Sequence, residues 1–491
     1  MTLDVAVIGS GFGGFGAAVR LREQGVTNVA IFERADDLGG TWRDNRYPGC
    51  RCDVASALYS FSFAPNPRWT NTYSYQPEIW QYLNDVAERF RLRDLIRFSH
   101  DVRDISFDHD AEIWRITTSQ GDYEARCVIL ATGGLAEPRL PDIEGLDTFE
   151  GRIMHTAKWD EGVSLENNRV GVIGTGASSI QVVPQIAALV EKLEVFQRTP
   201  SWILPHLGRP VLERTKRLFA ALSLAERLVR AKVYWRNELM VLGFVKDPTR
   251  MSQAETLARE HLERQIADPE LREQFTPHYR LGCKRVLISN DFYPAFNRDN
   301  VALVTAPILA VEPRGVRTSD GVLHEFDVLI AATGFYVTDN PMATKVHGVG
   351  GATLADAFCG TLASYKGTAF PGFPNFFMLG GPNTALGHSS IIFMHESQLN
   401  YATKAIEVAL HSDALVEPKA HLAERWTRDL REKLPTTVWG TGCSSWYLNE
   451  EGANTTIWPD FTFKYRQATR RFDPRDHLIS SRTRSATVTR G

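Results

Sequence analysis

The chain has 491 residues, of which 43% are hydrophobic and 23% are charged. This composition is typical of folded globular proteins, and the length predicts two or three domains, because single cores rarely grow beyond about 250–300 residues. The 55 basic and 58 acidic residues leave a net charge of −3. Nucleic-acid-binding domains are strongly basic, so nucleic acid is not an expected partner.

The N-terminus and the cysteines predict a cytoplasmic protein. The opening sequence MTLDVAVIGSG lacks the basic start and apolar run of a signal peptide, and no apolar stretch approaches the roughly twenty residues of a membrane-spanning helix. The six cysteines are sparse and lack metal-ligand spacing, which suits a reducing compartment. We therefore expect no membrane span and no metal site, and the composition leaves the oligomeric state open.

A strand, a glycine-rich turn and a helix open the chain. Residues 5–8 are a continuous apolar run, as is typical of a strand buried on both faces of a parallel sheet. The turn GSGFGG occupies residues 9–14, and apolar residues then recur at helical spacing. A second apolar run, residues 29–32, ends at an acidic residue. This order predicts a βαβ unit with the G-x-G-x-x-G fingerprint of dinucleotide binding.

The residues of this first turn fit a dinucleotide. We expect Gly9 to permit the tight turn, Gly11 to let the backbone approach a pyrophosphate, and Gly14 to let helix and strand pack closely. The N-terminus of the helix supplies free N–H groups and a partial positive charge. Glu33, at the end of the second strand, can accept hydrogen bonds from ribose hydroxyls. Without a basic partner, Glu33 suits the ribose of FAD.

A second glycine-rich turn repeats the pattern further along the chain. Residues 169–173 are predicted as a strand, and GTGASS at residues 174–179 follows, with Ser179 in place of the third glycine. The next strand, residues 193–196, leads to Arg198 and has no acid at its end. A guanidinium can pair with a 2′-phosphate that an acid would repel, so this site predicts NADPH rather than NADH. The alternative is an Arg198 held in a surface salt bridge.

Two dinucleotide sites in one chain predict hydride transfer between a flavin and a nicotinamide. A flavin disulfide reductase would need two cysteines that can bridge beside the flavin. Trp42 stands where a reductase is expected to place one of them, and a bridge between Cys50 and Cys52 would be strained. A flavin-binding regulator without turnover is a second alternative, against which the second turn and Arg198 argue.

The predicted fold is α/β, with two Rossmann-like dinucleotide-binding domains. The expected domains are residues 1–145 as the first part of the FAD-binding domain, 146–345 as the NADP-binding domain and 346–491 as the second part of the FAD-binding domain. A charged helical segment at about 210–278 is expected to be an insertion in the NADP-binding domain that covers the substrate site. The tail after Ile479, rich in Ser, Thr and Arg, is expected to fray.

Three segments resemble the fingerprints of flavin-dependent Baeyer–Villiger monooxygenases, the class that uses FAD and NADPH. They are GGTWRDNRYPGCRCD at 39–53, FEGRIMHTAKWD at 149–160, which has neither the alternation of a strand nor the stripe of a helix, and AATGF at 331–335. The resemblance implies that NADPH reduces FAD and that a C4a-peroxyflavin then inserts one oxygen atom of O2 into a ketone, giving an ester or lactone. Enzymes that oxygenate sulfur or nitrogen share the glycine turns and are the alternative.

The resemblance also implies the catalytic residues. Arg285 corresponds to the cation of the active site, which can hold its charge in a dry pocket where a lysine could lose it. Asp53 corresponds to the aspartate that holds and tunes this arginine, although a buried pair without chemistry is the alternative. His155 takes the part of the histidine that couples the cofactor positions during domain rotation, or it simply fixes a linker to both domains.

The cofactor-binding residues follow from the turns and from the resemblance together. Lys284 is expected to join Arg198 on the 2′-phosphate, while Trp42 and Tyr59 lie near the flavin or belong to the core. We assign the FAD site to Gly9, Gly11, Gly14, Glu33, Gly40, Thr41, Trp42, Asp53 and Tyr59, and the NADP site to Gly174, Gly176, Ser178, Arg198, Thr199 and Lys284.

The expected substrates are O2 and a small apolar organic molecule, a ketone if the resemblance holds. The stretch GPNTALGHSSIIFM at residues 381–394 departs from the versions associated with the best-known cyclic-ketone enzymes. The identity of the substrate is therefore left open by the sequence.

Overall fold

The computed structural model describes residues 2–482. The strands of this part, in chain order, are β1 Leu3–Ile8, β2 Val29–Phe32, β3 Ile96–Arg97, β4 Val102–Asp108, β5 Ile113–Thr118, β6 Gly121–Leu130, β7 Arg152–His155, β8 Arg169–Ile173, β9 Lys192–Phe196, β10 Ile203–Leu204, β11 Leu287–Ile288, β12 Val301–Val304, β13 Ile308–Glu312, β14 Gly315–Thr318, β15 Leu323–Glu325, β16 Val328–Ala331, β17 Val346–His347, β18 Phe376–Met378, β19 Ala414–Pro418 and β20 His477–Ser481.

The α-helices of the same part alternate with the strands in both halves of the chain. They are α1 Phe12–Glu23, α2 Thr41–Asp44, α3 Gln76–Arg89, α4 Ser179–Ile186, α5 Glu213–Ala221, α6 Ser223–Leu239, α7 Met251–Gln265, α8 Pro269–Gln274, α9 Phe292–Ala295, α10 Ala355–Cys359, α11 Ile391–His411, α12 Ala420–Lys433 and α13 Thr462–Thr469.

The first sheet draws its strands from both ends of the chain. Its order is β17-β4-β5-β6-β1-β2-β3, and β18 also pairs with β6. The central strand β1 runs parallel to β2 and to β6, with Val5 opposite Val29 on one side and Cys127 on the other. The continuous apolar run predicted for β1 is confirmed, since Val5 and Val7 are completely buried between layers that cover both faces.

The second sheet is wholly parallel, with the order β12-β9-β8-β16-β7. Its strands β8 and β9 contain the runs predicted from the sequence. The two sheets confirm the α/β class and the repeated βαβ construction. Each sheet ends its central strand at a glycine-rich turn, so the two turns lie at the carboxyl ends of their strands, where open α/β sheets bind ligands.

Two local expectations were wrong. The segment FEGRIMHTAKWD contains a strand, because β7 pairs in register with β16 at the edge of the second sheet. The strand is formed by pairing with a distant segment, and its own residues lack the apolar–polar alternation that would have predicted it. The fraying expected after Ile479 is contradicted for Ser480 and Ser481, which lie in β20 and pair with β19. The rest of that tail, residues 483–491, falls outside the described residues.

Helices α5 to α8 occupy the segment expected to be an insertion, and α6 reaches the first half of the chain. Arg230 of α6 donates hydrogen bonds to the carbonyl oxygens of Ala57 and Ser60, at 2.8 and 3.0 Å. Glu238, also on α6, accepts from the backbone and the hydroxyl of Thr462, at 2.9 and 2.6 Å. This helical segment is thus bonded to residues from both ends of the chain. Over residues 2–482, none of the helices combines the length and the apolar character needed to cross a bilayer.

The cysteines behave differently from the sequence-based expectation. Cys283 and Cys443 form a disulfide across 160 residues of sequence, whereas Cys50 and Cys52 are buried and free. The Cys283–Cys443 bridge weakens the argument for a reducing compartment, since disulfides are rare there. Nothing in the spacing of the two cysteines signals their proximity.

Candidate functional site

The first glycine-rich turn leaves no room for side chains at two of its positions. Gly9 has φ +104°, and a Cβ there would lie 2.8 Å from the carbonyl oxygen of Ala131. A Cβ on Gly14 would collide with the carbonyl oxygen of Gly9. Gly11 differs, since the nearest atom to a Cβ there is Cα of Gly40 at 3.8 Å. Two glycines therefore close the turn, and the third leaves its backbone accessible to a ligand.

Glu33 lies beside this turn as expected. It was expected to have no basic partner, but Arg43 lies next to its carboxylate. One carboxylate oxygen accepts from the backbone and the hydroxyl of Ser10, at 3.0 and 2.7 Å. The other accepts from the backbone of Ala35 at 3.1 Å and lies 3.4 Å from Nη1 of Arg43. Glu33 is 5% exposed, and a buried carboxylate needs such partners. The expectation of an unpaired Glu33 was therefore wrong.

The Gly40–Thr41–Trp42 segment packs against the first turn. Gly40 has φ +52°, and a Cβ there would lie 3.3 Å from Cα of Gly11. Thr41 begins the short helix α2. Trp42 donates from Nε1 to the hydroxyl of Tyr59 at 3.0 Å, and the two rings meet edge to face at 5.6 Å. Trp42 belongs to the main buried core, and Tyr59 is partly buried and packs against that core.

The second turn repeats the geometry of the first. Gly174 has φ +109°, and a Cβ there would lie 2.8 Å from the carbonyl oxygen of Ala332. No atom lies within 4 Å of a Cβ placed on Gly176, so the backbone there is open. Ser178 caps the N-terminus of α4 without a side-chain hydrogen bond. Ser179 is completely buried, which shows that a small residue suffices where the fingerprint has glycine.

Two cations without carboxylate partners lie beside the second turn. Ser201 donates from Oγ to the carbonyl oxygen of Thr175 at 3.1 Å, and Thr175 donates to the carbonyl oxygen of Thr199 at 3.4 Å. These bonds fix Thr199 and Ser201, which follow Arg198 in the chain, to the second turn. Burial lowers the pKa of Lys284, and the charge of Arg198 lowers it further. In the described chain neither side chain forms an ion pair, so the salt-bridge alternative for Arg198 is not supported.

Arg285 and Asp53 meet where the two halves of the chain adjoin. Arg285 donates from Nε and Nη2 to the two carboxylate oxygens of Asp53, at 2.7 Å each. The side chains are 31% and 26% exposed. The negative charge of Asp53 raises the pKa of Arg285 further above its ordinary value. The pair is therefore a permanent cation held in one orientation by a bidentate contact.

His155 lies at the carboxyl end of β7, opposite Ala331 of β16. Its Nδ1 accepts from the backbone of Ala157 at 3.0 Å, and its ring meets Phe335 edge to face at 5.8 Å. Burial lowers the pKa of His155 to about 4. The imidazole is thus neutral at pH 7, and its Nε2 is buried without a hydrogen-bond partner in residues 2–482.

The sequence argument missed a contact that joins the two halves near Asp53. The side-chain oxygen of Gln181, on α4, accepts from the Tyr47 hydroxyl at 2.9 Å and from the backbone of Arg51 at 3.2 Å. Its amide donates to the carbonyl oxygen of Arg51 at 3.1 Å. A Cβ on Gly49 would lie 2.6 Å from the Gln181 carbonyl oxygen. The glycine at position 49, which the structure holds at φ +80°, was the feature of the sequence that could have indicated a close approach of backbone here.

Comparisons with known proteins identify the family. Residues 6–207 match the family of pyridine nucleotide-disulphide oxidoreductases. A Baeyer–Villiger monooxygenase of Streptomyces coelicolor is 45% identical over 478 residues, which cover 97% of this chain and 92% of the relative. A Baeyer–Villiger monooxygenase of Pseudomonas aeruginosa is 43% identical over 473 residues, covering 96% and 90%.

Solved structures agree with these relatives. Cyclohexanone monooxygenase from Rhodococcus sp. Phi1 bound to NADP+ superposes with a TM-score of 0.86 at 31% identity, covering 98% of this chain and all of that one. The OTEMO complex with FAD and NADP gives the same TM-score at 26% identity, covering 97% and 99%. The chain belongs to the Baeyer–Villiger monooxygenase family of flavoprotein oxidoreductases.

Substitution of Arg198 by Ala is expected to raise the KM for NADPH by about 10- to 100-fold, because a charge-assisted hydrogen bond to the 2′-phosphate is lost. The KM for NADH is expected to stay nearly unchanged, since NADH lacks this phosphate. Steady-state kinetics with both nucleotides measure the change, and Arg298→Ala, at an exposed arginine outside the residues assigned to the NADP site, is the control. Equal losses for NADPH and NADH would show that another residue recognises the 2′-phosphate.

The depressed pKa of His155 predicts a pH-dependent stability. Between pH 6.5 and about 4, His155 is protonated in the unfolded chain but neutral in the folded chain. The free energy of unfolding therefore falls as the pH falls through this window. His155 contributes up to about 1.4 kcal/mol per pH unit to this slope. Denaturant unfolding of His155→Asn is expected to show a shallower slope in this window and no difference in slope above it. His109→Asn, at an exposed position, is the control, and identical slopes for all three proteins contradict the assignment.

Proposed function

We propose that this protein uses NADPH and O2 to insert one oxygen atom into a small apolar ketone, giving an ester or lactone. The observation that carries the proposal is the bidentate Arg285–Asp53 pair, which places a permanent cation where the two dinucleotide-binding halves meet. Membership of the Baeyer–Villiger monooxygenase family supports it, as does the cyclohexanone-bound structure of cyclohexanone monooxygenase, which superposes with a TM-score of 0.84 at 31% identity.

FAD fits the first turn. Gly9 and Gly14 close a turn that a Cβ would block, while Gly11 leaves its backbone open to a pyrophosphate. Glu33 presents its carboxylate at the end of β2 for a ribose, and Asp53 closes the same segment at the domain junction. The residues that we propose to hold FAD are Gly9, Gly11, Gly14, Glu33, Gly40, Thr41, Trp42, Asp53 and Tyr59. When bound, FAD supplies the redox chemistry that accepts a hydride and activates O2.

NADPH fits the second turn. Gly176 leaves the backbone open at the N-terminus of α4, where an anion is favoured. Arg198 and Lys284 repel each other, and a doubly charged 2′-phosphate between them would relieve this repulsion. The residues that we propose to hold NADPH are Gly174, Gly176, Ser178, Arg198, Thr199 and Lys284.

Arg285 stabilises negative charge on the oxygen nucleophile that attacks the ketone. A cation held in one orientation acts strongly on such charge, because it needs no reorganisation during the reaction. Asp53 holds the guanidinium in place and keeps it protonated. His155 is neutral and lies beside Ala331 and Phe335. We propose that it positions the segment 331–335 and transfers no proton.

The remaining expectations are kept as proposals. We propose that residues 1–145 and 346–491 form the FAD-binding domain and that 146–345 form the NADP-binding domain, because the two sheets divide the chain in this way. We also propose a cytoplasmic location, where NADPH is supplied. The Cys283–Cys443 bridge is a reason to test this location directly.

The function is tested with a panel of cyclic and aryl ketones and sulfides under ¹⁸O₂, with products identified by mass spectrometry. We expect an ester or lactone carrying one ¹⁸O atom per NADPH consumed. Arg285→Ala is expected to lower ester formation by about 10²- to 10³-fold while NADPH oxidation continues and releases hydrogen peroxide, because the stabilising charge is lost. Oxygenation of sulfides but no ketone, with Arg285→Ala still active, would instead identify a sulfur-oxygenating enzyme.

A further inference from the structure

A buried tyrosine hydroxyl near the active-site cation has no partner. Tyr447 is 1% exposed, and its hydroxyl makes no hydrogen bond to any residue from 2 to 482. Buried hydroxyl groups in folded proteins are almost always hydrogen-bonded, because leaving one unpaired is unfavourable. An orphaned hydroxyl beside a reaction centre therefore points to a partner that arrives with the substrate or a cofactor.

Tyr447 lies within the electrostatic reach of the Arg285–Asp53 pair. Burial raises the pKa of the Tyr447 hydroxyl to about 12, while the charge of Arg285 lowers it and that of Asp53 raises it. The phenol is thus protonated at neutral pH and can only act as a hydrogen-bond donor or a neutral acceptor. Arg285 donates from Nε and Nη2 to Asp53. The Tyr447 hydroxyl is a second, uncharged donor that takes no part in this ion pair.

The surroundings of Tyr447 are apolar and aromatic. Its ring shares a buried cluster with Phe244 of the helical insertion, with Leu281 and with Trp439. Phe244 and Trp439 stack at 5.9 Å with an interplanar angle of 5°. Two donors in this cluster lack a hydrogen-bond partner within residues 2–482, the Tyr447 hydroxyl and Nε1 of Trp439. Of these two, the Tyr447 hydroxyl is the one that interacts with the charges of Arg285 and Asp53, so it is the donor that can select the position of a polar group beside the cation.

The loops that carry Tyr447 and Arg285 are cross-linked. The Cys283–Cys443 disulfide joins them two residues before Arg285 and four residues before Tyr447. Gly282, with φ +98°, packs so tightly against the Phe244 ring that a Cβ there would collide with it. Trp446 meets the Tyr447 ring at 4.4 Å. The donor is therefore held in a fixed position relative to the cation.

We propose that Tyr447 is a further catalytic residue, which donates a hydrogen bond to the carbonyl oxygen of the substrate ketone. The inference rests on the proposed function and names the group that recognises the reacting carbonyl. In the addition step an oxygen–carbon bond forms and the carbonyl π pair moves to oxygen, where a donor stabilises the new charge. In the collapse the pair re-forms the carbonyl, one carbon migrates with its bonding pair to the inserted oxygen, and the oxygen–oxygen bond breaks with its pair going to the departing oxygen, which is released as hydroxide-level oxygen and ends as water. Tyr447 keeps its proton throughout.

A sulfide provides an internal comparison, because it is oxygenated at the same site but has no carbonyl oxygen to accept from Tyr447. Tyr447→Phe removes only the hydroxyl. We expect kcat/KM for cyclohexanone, or for the best ketone of the panel, to fall about 100-fold. We expect kcat/KM for thioanisole to change by less than about threefold, since the lost donor serves neither NADPH nor O2.

Tyr465→Phe is the matched control. Tyr465 is completely buried like Tyr447, but its hydroxyl donates to the carbonyl oxygen of Lys366 at 2.6 Å. This variant loses a satisfied hydrogen bond and is expected to unfold at a lower temperature with an unchanged ketone-to-sulfide ratio. Tyr447→Phe is expected to unfold at the temperature of the unsubstituted protein. Calorimetric titration of the FAD-loaded proteins with cyclohexanone, without NADPH, is expected to show about 3- to 10-fold weaker binding for Tyr447→Phe.

An unchanged ketone-to-sulfide ratio in Tyr447→Phe overturns the inference. A raised KM for NADPH with that ratio unchanged also overturns it, because the hydroxyl would then serve the nucleotide. If the unsubstituted enzyme oxygenates sulfides but no ketone, the proposed function fails and this inference fails with it. The two failures are distinguishable, since the first is seen only in the variant and the second is seen in the unsubstituted enzyme.

Discussion

The ion pair between Arg285 and Asp53 joins the two halves of this protein at the point where its chemistry takes place. Both side chains are only partly exposed, and removing charges from water is unfavourable unless their geometry is close to ideal; here both carboxylate oxygens accept hydrogen bonds of 2.7 Å. Asp53 ends the segment that packs on the first glycine-rich turn, and Arg285 follows the lysine that faces the second. The pair therefore ties the placement of the cation to the relative position of both nucleotide sites.

The two halves reach this arrangement through the same backbone construction. In each, the first glycine of the turn lies against the carbonyl oxygen of an alanine at the end of a neighbouring parallel strand, Ala131 or Ala332. A side chain at either glycine would push that strand away from the turn. A Cβ on the first glycine would lie 2.8 Å from this carbonyl oxygen in both halves, so each turn is packed directly against the end of the neighbouring strand. The halves differ in the charge that they present, with a buried Glu33 in the first and an exposed Arg198 in the second.

The parts of the site that could be predicted from the sequence are those that depend on local rules. Glycine spacing, apolar runs and the residue at the end of a strand located both turns, and the family fingerprints pointed to Arg285 and Asp53. The parts that could not be predicted depend on contacts between distant segments. Strand β7 exists because β16 pairs with it, and the disulfide joins residues 160 positions apart. Glu33 and Arg43 are only ten residues apart, but their pairing could not be predicted because it depends on the fold bringing α2 back beside the end of β2.

The central claim is that Arg285 and Asp53 act as one unit, and a double-mutant cycle on ester formation tests it most directly. Arg285→Ala, Asp53→Ala and the double variant are compared by kcat/KM for the best ketone of the panel. Residues that act as a unit lose their effect together, so the double variant is predicted to fall within about threefold of the weaker single variant. Losses that multiply, as they do for independent residues, would contradict the account.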